Sequence, residues 1–324
     1  MIEEAGHFND VLKSLVVRSE SSVDELAALL QRPKLEIDNT LHALQHSGFP
    51  LDIRDSRVTL DQSALLKHSE LRQRLEALDL LASTSLSYSV DSTNAELKRD
   101  GERSGWRLAI ADYQTQGRGR RGRSWFSSVG EGISMSLSRP ISQSALGPVS
   151  LVVGTAVVNA LMDLGGTRLG LKWPNDLVVA DRKLGGILVE TQVLEDDLLL
   201  VIGIGLNHRL RNPEHLPMKV PIADLSSVFD AGVPSREDVV IGIVQHVVKT
   251  VEHSLSQGFL TALQQWQELD CYKGRAVCVH QESKTYFGTA HGIDAEGGFC
   301  LKLEDGSTRE FSAGEVSLRL AETG

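Results

Sequence analysis

Val149–Leu164 is apolar on nearly every side of a helix. A surface helix hides one stripe, but a helix like this is stable only when neighbours cover it all round. The chain must therefore fold as a layered domain with this segment inside. Suitable neighbours flank it. Leu108–Ala111 is a short apolar strand, and Ile133–Leu137 alternates with serines at the strand period of two. Leu177–Ala180, Gly186–Val193 and Leu198–Ile204 read as further strands, and Ser235–Gly258 and Phe259–Leu269 as helices. Together they predict a mixed domain of strands and helices, placed at 82–268 in the domain division.

Either side of it the pattern changes. In residues 1–65, Phe8–Val17 carries helical spacing, and Ser22-Val-Asp-Glu25 forms a capping box before Leu26, Leu29 and Leu30. Pro33 opens a third helix with its stripe on Ile37, Leu41 and Leu44, ended by Gly48. Leu51–Ile53 and Val58–Leu60 flank the turn Arg54-Asp-Ser-Arg57. Helix, capped helix, helix and hairpin predict a winged helix-turn-helix, with a small helical docking domain as the alternative. Ala64–Leu81, free of Gly and Pro, reads as a linking helix, placed at 66–81 in the domain division. In residues 269–324, five short β runs (Ala276–His280, Thr285–Ala290, Phe299–Leu303, Ser307–Phe311, Val316–Leu320) between turn residues predict a small all-β barrel.

Composition narrows the class. A net charge of −10 argues against a surface that binds nucleic acid as a whole, so any DNA contact must be local. Three cysteines with no C-x-x-C argue against a disulfide framework or thiolate zinc site and suit a reducing cytosol. The acidic N-terminus lacks a signal-peptide pattern, and apolar runs such as Leu198–Leu206 are too short to span a bilayer. His42 and His46 have helical zinc spacing but no third ligand and read as solvated positions.

Positive charge concentrates in Gly117-Arg-Gly-Arg-Arg-Gly-Arg-Ser-Trp125, with four arginines and three glycines in seven residues. Like charges this dense repel, so the loop is expected to be disordered when empty and to order around an anion. Guanidinium forks match phosphate or carboxylate oxygens. A solvated basic loop is the competing reading. The G-x-G-x-x-G inside it lacks the following helix that a dinucleotide fold needs. Lys172-Trp-Pro-Asn-Asp176 and Lys183-Leu-Gly-Gly-Ile-Leu-Val-Glu190 place two lysines and a carboxylate beside strands. They suit either a polyphosphate with Mg2+ or plain hairpin ends. Asp91-Ser-Thr-Asn94 caps a helix or lines a pocket. Gly203-Ile-Gly-Leu-Asn207 admits close backbone approach or marks a bulge.

Taken together, these stretches resemble the biotin–protein ligase family, in its bacterial bifunctional form that also represses the biotin operon. Gln114, Trp266-x-x-Leu-Asp270 and Gly314-Glu-Val-Ser-Leu-Arg319 extend the resemblance over nearly the whole chain. It implies a multidomain α+β chain, with a mixed-sheet catalytic domain like class II aminoacyl-tRNA synthetases and an SH3-like C-terminal barrel. The implied chemistry is attack of biotin on ATP to give bound biotinyl-5'-AMP. Transfer follows, to a lysine of the biotin carboxyl carrier protein of acetyl-CoA carboxylase. Ser92, Thr93, Asn94, Gln114, Arg118, Gly119, Arg120 and Lys183 would hold biotin, with Lys183, Arg118 and Arg120 catalytic. Arg121, Arg123, Trp125, Lys172, Asn175, Asn207 and Arg319 would contact the nucleotide, and Asp176 would meet Mg2+. Lys34, Asn39 and Thr40 would face operator DNA. A cytoplasmic, ligand-dependent homodimer is implied.

The chain departs from the family in places. Residues 1–65 hold six lysines and arginines against eleven aspartates and glutamates. Glu36 and Asp38 lie on the expected recognition helix, and the turn Arg54-Asp-Ser-Arg57 replaces the family's Gly-Lys-Gly wing. Phosphate contacts supply most DNA affinity, so operator binding is expected to be weak, altered or lost. Met218–Leu225 lacks an adenine-covering tryptophan, with Ile222 in its place. A lipoate–protein ligase would share the catalytic fold but lack the Arg-Gly loop. A winged-helix regulator without catalysis would have no need of Lys172–Glu190. A passive docking protein fits least.

Overall fold

The computed structural model describes residues 2–99, 104–126, 128–143, 146–195, 197–211, 220–281, 284–312 and 316–320. The N-terminal part runs α1 (Ile2–Arg18), β1 (Glu20–Ser22), α2 (Val23–Leu30), α3 (Lys34–His46), β2 (Leu51–Arg54) and β3 (Arg57–Leu60). The capping box closes both ways: Ser22 N–H donates to the Glu25 carboxylate at 2.7 Å, and Glu25 N–H donates to Ser22 Oγ at 3.1 Å. Asp55 and Ser56 have φ of 49° and 62°, the two-residue primed turn that matches hairpin twist. Phe8, Leu12, Leu26, Ile37, Leu41 and Leu44 form a second core, which Tyr88 and Val129 from further along the chain join. β1 carries no periodic signal, yet it pairs with β3 and makes a three-stranded sheet in the order β1-β3-β2.

The expected linking helix is shorter than its composition predicts. A 3-10 turn covers Gln62–Ala64, Leu65 is extended, and α4 spans only His68–Glu76. The reason is tertiary. Leu66 N–H donates to the buried Asp112 carboxylate at 2.9 Å, His68 meets its other oxygen at 3.1 Å, and Arg236 reaches both Asp112 (3.2 Å) and the Ala64 carbonyl (2.7 Å). These bonds hold residues 64–66 out of the α-helix, which would have withdrawn the same groups. The far end stops at Ala77, and Asp79 turns away with φ of 52°. Leu71 and Leu75 are buried in the main core, so this segment is packed rather than free.

The central part comprises β4 (Ser83–Val90), α5 (Thr93–Arg99), β5 (Arg107–Gln114), β6 (Gly132–Ile141), α6 (Val149–Asp163), β7 (Gly170–Lys172), β8 (Asp176–Val179), β9 (Arg182–Val193), β10 (Leu198–Asn207), α7 (Arg236–Gln257) and α8 (Leu260–Glu268). Its sheet order is β4-β5-β6-β10-β9-β8-β7. β4 and β5 are parallel and the other pairs antiparallel, so the sheet is mixed. α6 carries the all-round apolar run, and the sheet and α7 and α8 cover it. The edge strand β4, half serine, was not legible from its sequence. Asn9 of α1 caps it: Tyr88 and Ser89 N–H donate to Asn9 Oδ1 at 2.9 and 3.1 Å, and Asn9 donates back to the Ser89 carbonyl.

The C-terminal part holds β11 (Ala276–Gln281), β12 (Lys284–Ile293), β13 (Phe299–Lys302), β14 (Thr308–Phe311) and β15 (Val316–Leu320), all antiparallel in the order β14-β13-β12-β11-β15. Among the described residues the two outer strands do not pair, so the element is an open sheet rather than a closed barrel. Trp173 fastens it to the centre, its indole N–H donating to the Gly297 carbonyl at 3.1 Å beside Phe299. No described helix is long and apolar enough to cross a membrane.

Candidate active site

Residues opposite one another in a sheet share a face. Ser136 faces Gly203, which faces Leu188; Ser134, Gly205 and Gly186 form the next row, and Ser138, Val201 and Glu190 the row before. The reverse face carries Ile133, Met135, Leu137, Ile202, Ile204 and Leu206, all buried against the helices. The alternation in two sequence segments thus separates an apolar face from a floor of serines and glycines. The glycines are there for space. A Cβ on Gly203 would lie 2.5 Å from Asn94 Oδ1, and one on Gly205 would lie 2.4 Å from the Trp125 ring.

On this floor sits the start of α5. Ser92, Thr93 and Asn94 are all buried. Thr93 N–H donates to Gln114 Oε1 at 2.9 Å, and Thr93 Oγ lies 3.2 Å from the same oxygen. Ser136 Oγ lies 2.7 Å from Thr93 Oγ and 2.6 Å from Asn94 Oδ1. Asn94 Nδ2 donates to Glu190 at 2.7 Å, and Lys98 Nζ donates to the other Glu190 oxygen at 2.7 Å. Asp91, just before, is tied to Arg99 by two bonds of 2.6 and 2.7 Å. Burial pushes the Asp91 and Glu190 carboxyls up, but these bonds and cations outweigh it and hold both below the usual carboxylate range. Sequence reading quoted Glu190 without giving it a role and missed Ser136 and Lys98. The serine alternation was the available signal for Ser136.

The arginine loop is a compact hairpin: Trp125 N–H donates to the Gly117 carbonyl (2.9 Å) and Gly119 N–H to the Arg123 carbonyl (2.7 Å). Arg121 adopts φ of 58° to make the bend. Arg118, Arg121 and Arg123 are exposed. Arg120 turns inward to donate to Asn175 Oδ1 at 3.1 Å, and burial lowers its pKa. Trp125 lies over Gly205, and its buried indole N–H has no partner among the described residues. A buried donor without an acceptor is unfavourable by about 1–3 kcal/mol, which points to an acceptor supplied by a ligand.

Beside the loop, Lys183 Nζ donates to Asp176 Oδ1 at 2.6 Å and lies 6.0 Å from the Trp125 ring centre. Asn175 donates to the Ile187 carbonyl at 2.8 Å. Lys172 is mostly buried, and burial lowers its pKa further than Asp176 raises it; Lys183, Arg319 and Arg123 add to the lowering. Exposed Arg319 therefore reaches this site electrostatically from β15. Asn207 is buried and donates to the Ala223 carbonyl at 2.9 Å and to the Lys183 carbonyl at 3.4 Å, so its amide braces the site wall. Ile222 bridges Lys183 along the same wall. Asp176 is a single carboxylate already paired with an ammonium, and it stands in no cluster of three metal ligands among the described residues. That suits a magnesium ion held chiefly by polyphosphate oxygens, not a protein cage. Met218, Gly314 and Glu315 lie outside the described residues.

The expected DNA contacts are elsewhere, on α3. Lys34 is exposed and paired with Asp24, and Asn39 is exposed. Thr40 is a correction. It is buried, and its hydroxyl donates to the Glu36 carbonyl one turn back at 2.8 Å, so it offers nothing to a partner. Glu36 is held by Arg32, with His7 3.5 Å away, and Asp38 by His42 at 3.8 Å. His42 and His46 are exposed.

Residues 86–207 match the Biotin/lipoate A/B protein ligase family and residues 273–319 the Biotin protein ligase C terminal domain. The chain is 36% identical over 239 residues to the Bifunctional ligase/repressor BirA of Escherichia coli, spanning 72% of this chain and 73% of that one. It is 29% identical over 281 residues to the protein of the same name from Bacillus subtilis, spanning 84% and 83%. Among solved structures, a biotin protein ligase from Aquifex aeolicus in complex with biotin and ATP superposes with a TM-score of 0.63 at 27% identity, over 74% of this chain and all of that one.

Proposed function

This chain belongs to the biotin protein ligase family, and from that premise we infer that it activates biotin with ATP and joins it to a lysine of the biotin carboxyl carrier protein of acetyl-CoA carboxylase. One observation carries the reading. Asn94 packs over Gly203, Trp125 over Gly205 two residues further along the same strand, and Lys183 Nζ stands 6.0 Å from the Trp125 ring centre, so the floor leads from a buried polar network towards a cationic pair. That floor suits a ligand with a polar head at one end and a carboxylate at the other.

In the first step a biotin carboxylate oxygen attacks the α-phosphorus of ATP. A C–O–P anhydride forms, the bond to the β-phosphate breaks, and pyrophosphate leaves. The carboxylate gives its charge to the new bond, and negative charge builds on the α-phosphate oxygens and the departing pyrophosphate, where Lys183 stabilises it. Arg118 and Arg120, on the loop beside Gly119, close over the bound biotinyl-5'-AMP and exclude water. Arg121, Arg123, Trp125, Lys172, Asn175 and Arg319 surround the nucleotide, with Asn207 shaping the wall behind it. Asp176 is the carboxylate that would meet Mg2+, which would supply neutralisation of phosphate charge. In the second step the carrier lysine amine attacks the acyl carbon, the acyl–oxygen bond breaks, and AMP leaves. The head of biotin is held by Ser92, Thr93, Asn94 and Gln114.

The finer architecture belongs to the same proposal. Residues 1–65 form a winged helix-turn-helix, 66–81 link it to the catalytic domain at 82–268, and the sheet within 269–324 is the family's SH3-like domain. The wing hairpin and the outward face of α3, with Lys34 and Asn39, support a second role as a biotin-responsive repressor with weakened operator binding. A ligand-dependent homodimer in the cytoplasm completes the reading. The test is pyrophosphate release with biotin and with lipoate, followed by labelling of a carrier domain. Biotin-dependent release and labelling are expected; release with lipoate alone would replace the reading with a lipoate ligase.

A further inference from the structure

The polar network under α5 has one sense of direction, and Glu190 sets it. A carboxylate only accepts, so the atom of Asn94 facing Glu190 Oε2 at 2.7 Å must be the amide nitrogen. Asn94 Oδ1 is then turned to Ser136, 2.6 Å away. Ser136 has a single proton, and Oδ1 takes it. Thr93 Oγ lies 2.7 Å from Ser136 Oγ and 3.2 Å from Gln114 Oε1, and the shorter contact takes its proton, so Thr93 donates to Ser136 and its contact with Gln114 carries none. With its proton directed to Ser136, Thr93 Oγ has only lone pairs left. Gln114 Oε1 already accepts the Thr93 N–H, which leaves the Gln114 Nε2 donors on the side of the arginine loop, where a Cβ on Gly117 would lie 3.2 Å away. The pocket thus offers one fixed acceptor and one fixed donor.

We propose that Glu190 is a positioning residue that fixes this donor and acceptor pattern through Asn94 and Ser136, and so tunes the site for a head group carrying both N–H and C=O. Lys98, bonded to the other carboxylate oxygen, keeps Glu190 ionised and in place. Gly203 keeps the space that lets Asn94 lie flat on the floor. Glu190 acts only through the side chains it orients and is not itself a catalytic residue. The inference rests on the ligase reading, since the head group is taken to be the urea of biotin.

The test uses the full chain, biotin, ATP and pyrophosphate release. Glu190→Gln keeps the volume but lets the facing amides adopt either orientation. Ser136→Ala cuts the chain without touching a charge. Each is expected to raise the KM for biotin about tenfold, a loss of about 1.4 kcal/mol. The KM for ATP should stay within about twofold. Because both act along one chain, the double variant should be no worse than the poorer single one. A biotin KM unchanged in either variant, a parallel rise in both KM values, or additive losses would overturn the assignment. An inactive wild-type chain would overturn the ligase reading itself, and this inference with it.

Discussion

The floor of the catalytic sheet and the outer face of α3 both carry polar side chains, but the two are held in opposite ways. On the floor, Thr93, Asn94 and Ser136 are buried and mutually bonded, so each fixes the next. On α3, Lys34, Glu36 and Asp38 sit in small separate ion pairs, and the pairs of Lys34 with Asp24 and of Asp38 with His42 are well exposed. Water screens the outer pairs, which are worth about 0–1 kcal/mol each. A buried network loses far more when one member is removed, because its partners are left unsatisfied. Sequence change is therefore tolerated on one surface and punished on the other.

Four measurements would break or sharpen this contrast. The largest effect is expected at Lys183, where Lys183→Met removes the ammonium bonded to Asp176. Biotin-dependent pyrophosphate release should fall by about 10²–10³, the size seen when a charge-stabilising donor is lost, while the thermal midpoint holds. A loss below tenfold would move the stabilising role to Lys172.

Next comes Gly203→Ala. Its methyl would strike the Asn94 amide, and overpacking of this kind typically destabilises by about 1–3 kcal/mol. A rise of about tenfold in the biotin KM is expected. An unchanged KM would mean that the floor yields as easily as a surface.

Lys172 gives a smaller effect that depends on pH. Burial favours its neutral form, so the ammonium is lost on the alkaline side at a lower pH than in an ordinary lysine. The kcat/KM for ATP should fall through that range by several-fold, and Lys172→Arg should carry the limb upward, since arginine stays charged. A limb that ignores the substitution would remove Lys172 from nucleotide binding.

The smallest change is expected on α3. Glu36→Gln with Asp38→Asn removes two negative charges from the helix and should tighten binding to biotin-promoter DNA by about three- to tenfold at low salt. Fluorescence anisotropy across a salt series reads it. If affinity and salt slope stay the same, α3 does not face the duplex.

Much of the fold was legible because its periods are strong. The serine alternation at Ile133–Leu137, the capping box at Ser22 and the five β runs of the C-terminal part all have local causes. β1 and β4 were not legible, since one is three residues long and the other is half serine; they are strands because β3 and β5 offer them ladders. The linking helix was overestimated because nothing nearby in sequence shows that Asp112 and Arg236 take hold of residues 64–66.

In the site, the sequence by itself determined which chemistry was available: an arginine-rich turn, two lysines with a carboxylate, a hydroxyl and amide cluster, and a glycine-paired segment open to close backbone approach. Those are properties of residue types at short spacing, and they survive without coordinates. Only the tertiary structure decided that Ser136, Glu190 and Lys98 join Thr93 and Asn94, that Arg120 turns inward while Arg118 stays out, and that Thr40 is buried. Each of these depends on which strand lies next to which, and that is set by the packing of the whole sheet around α6.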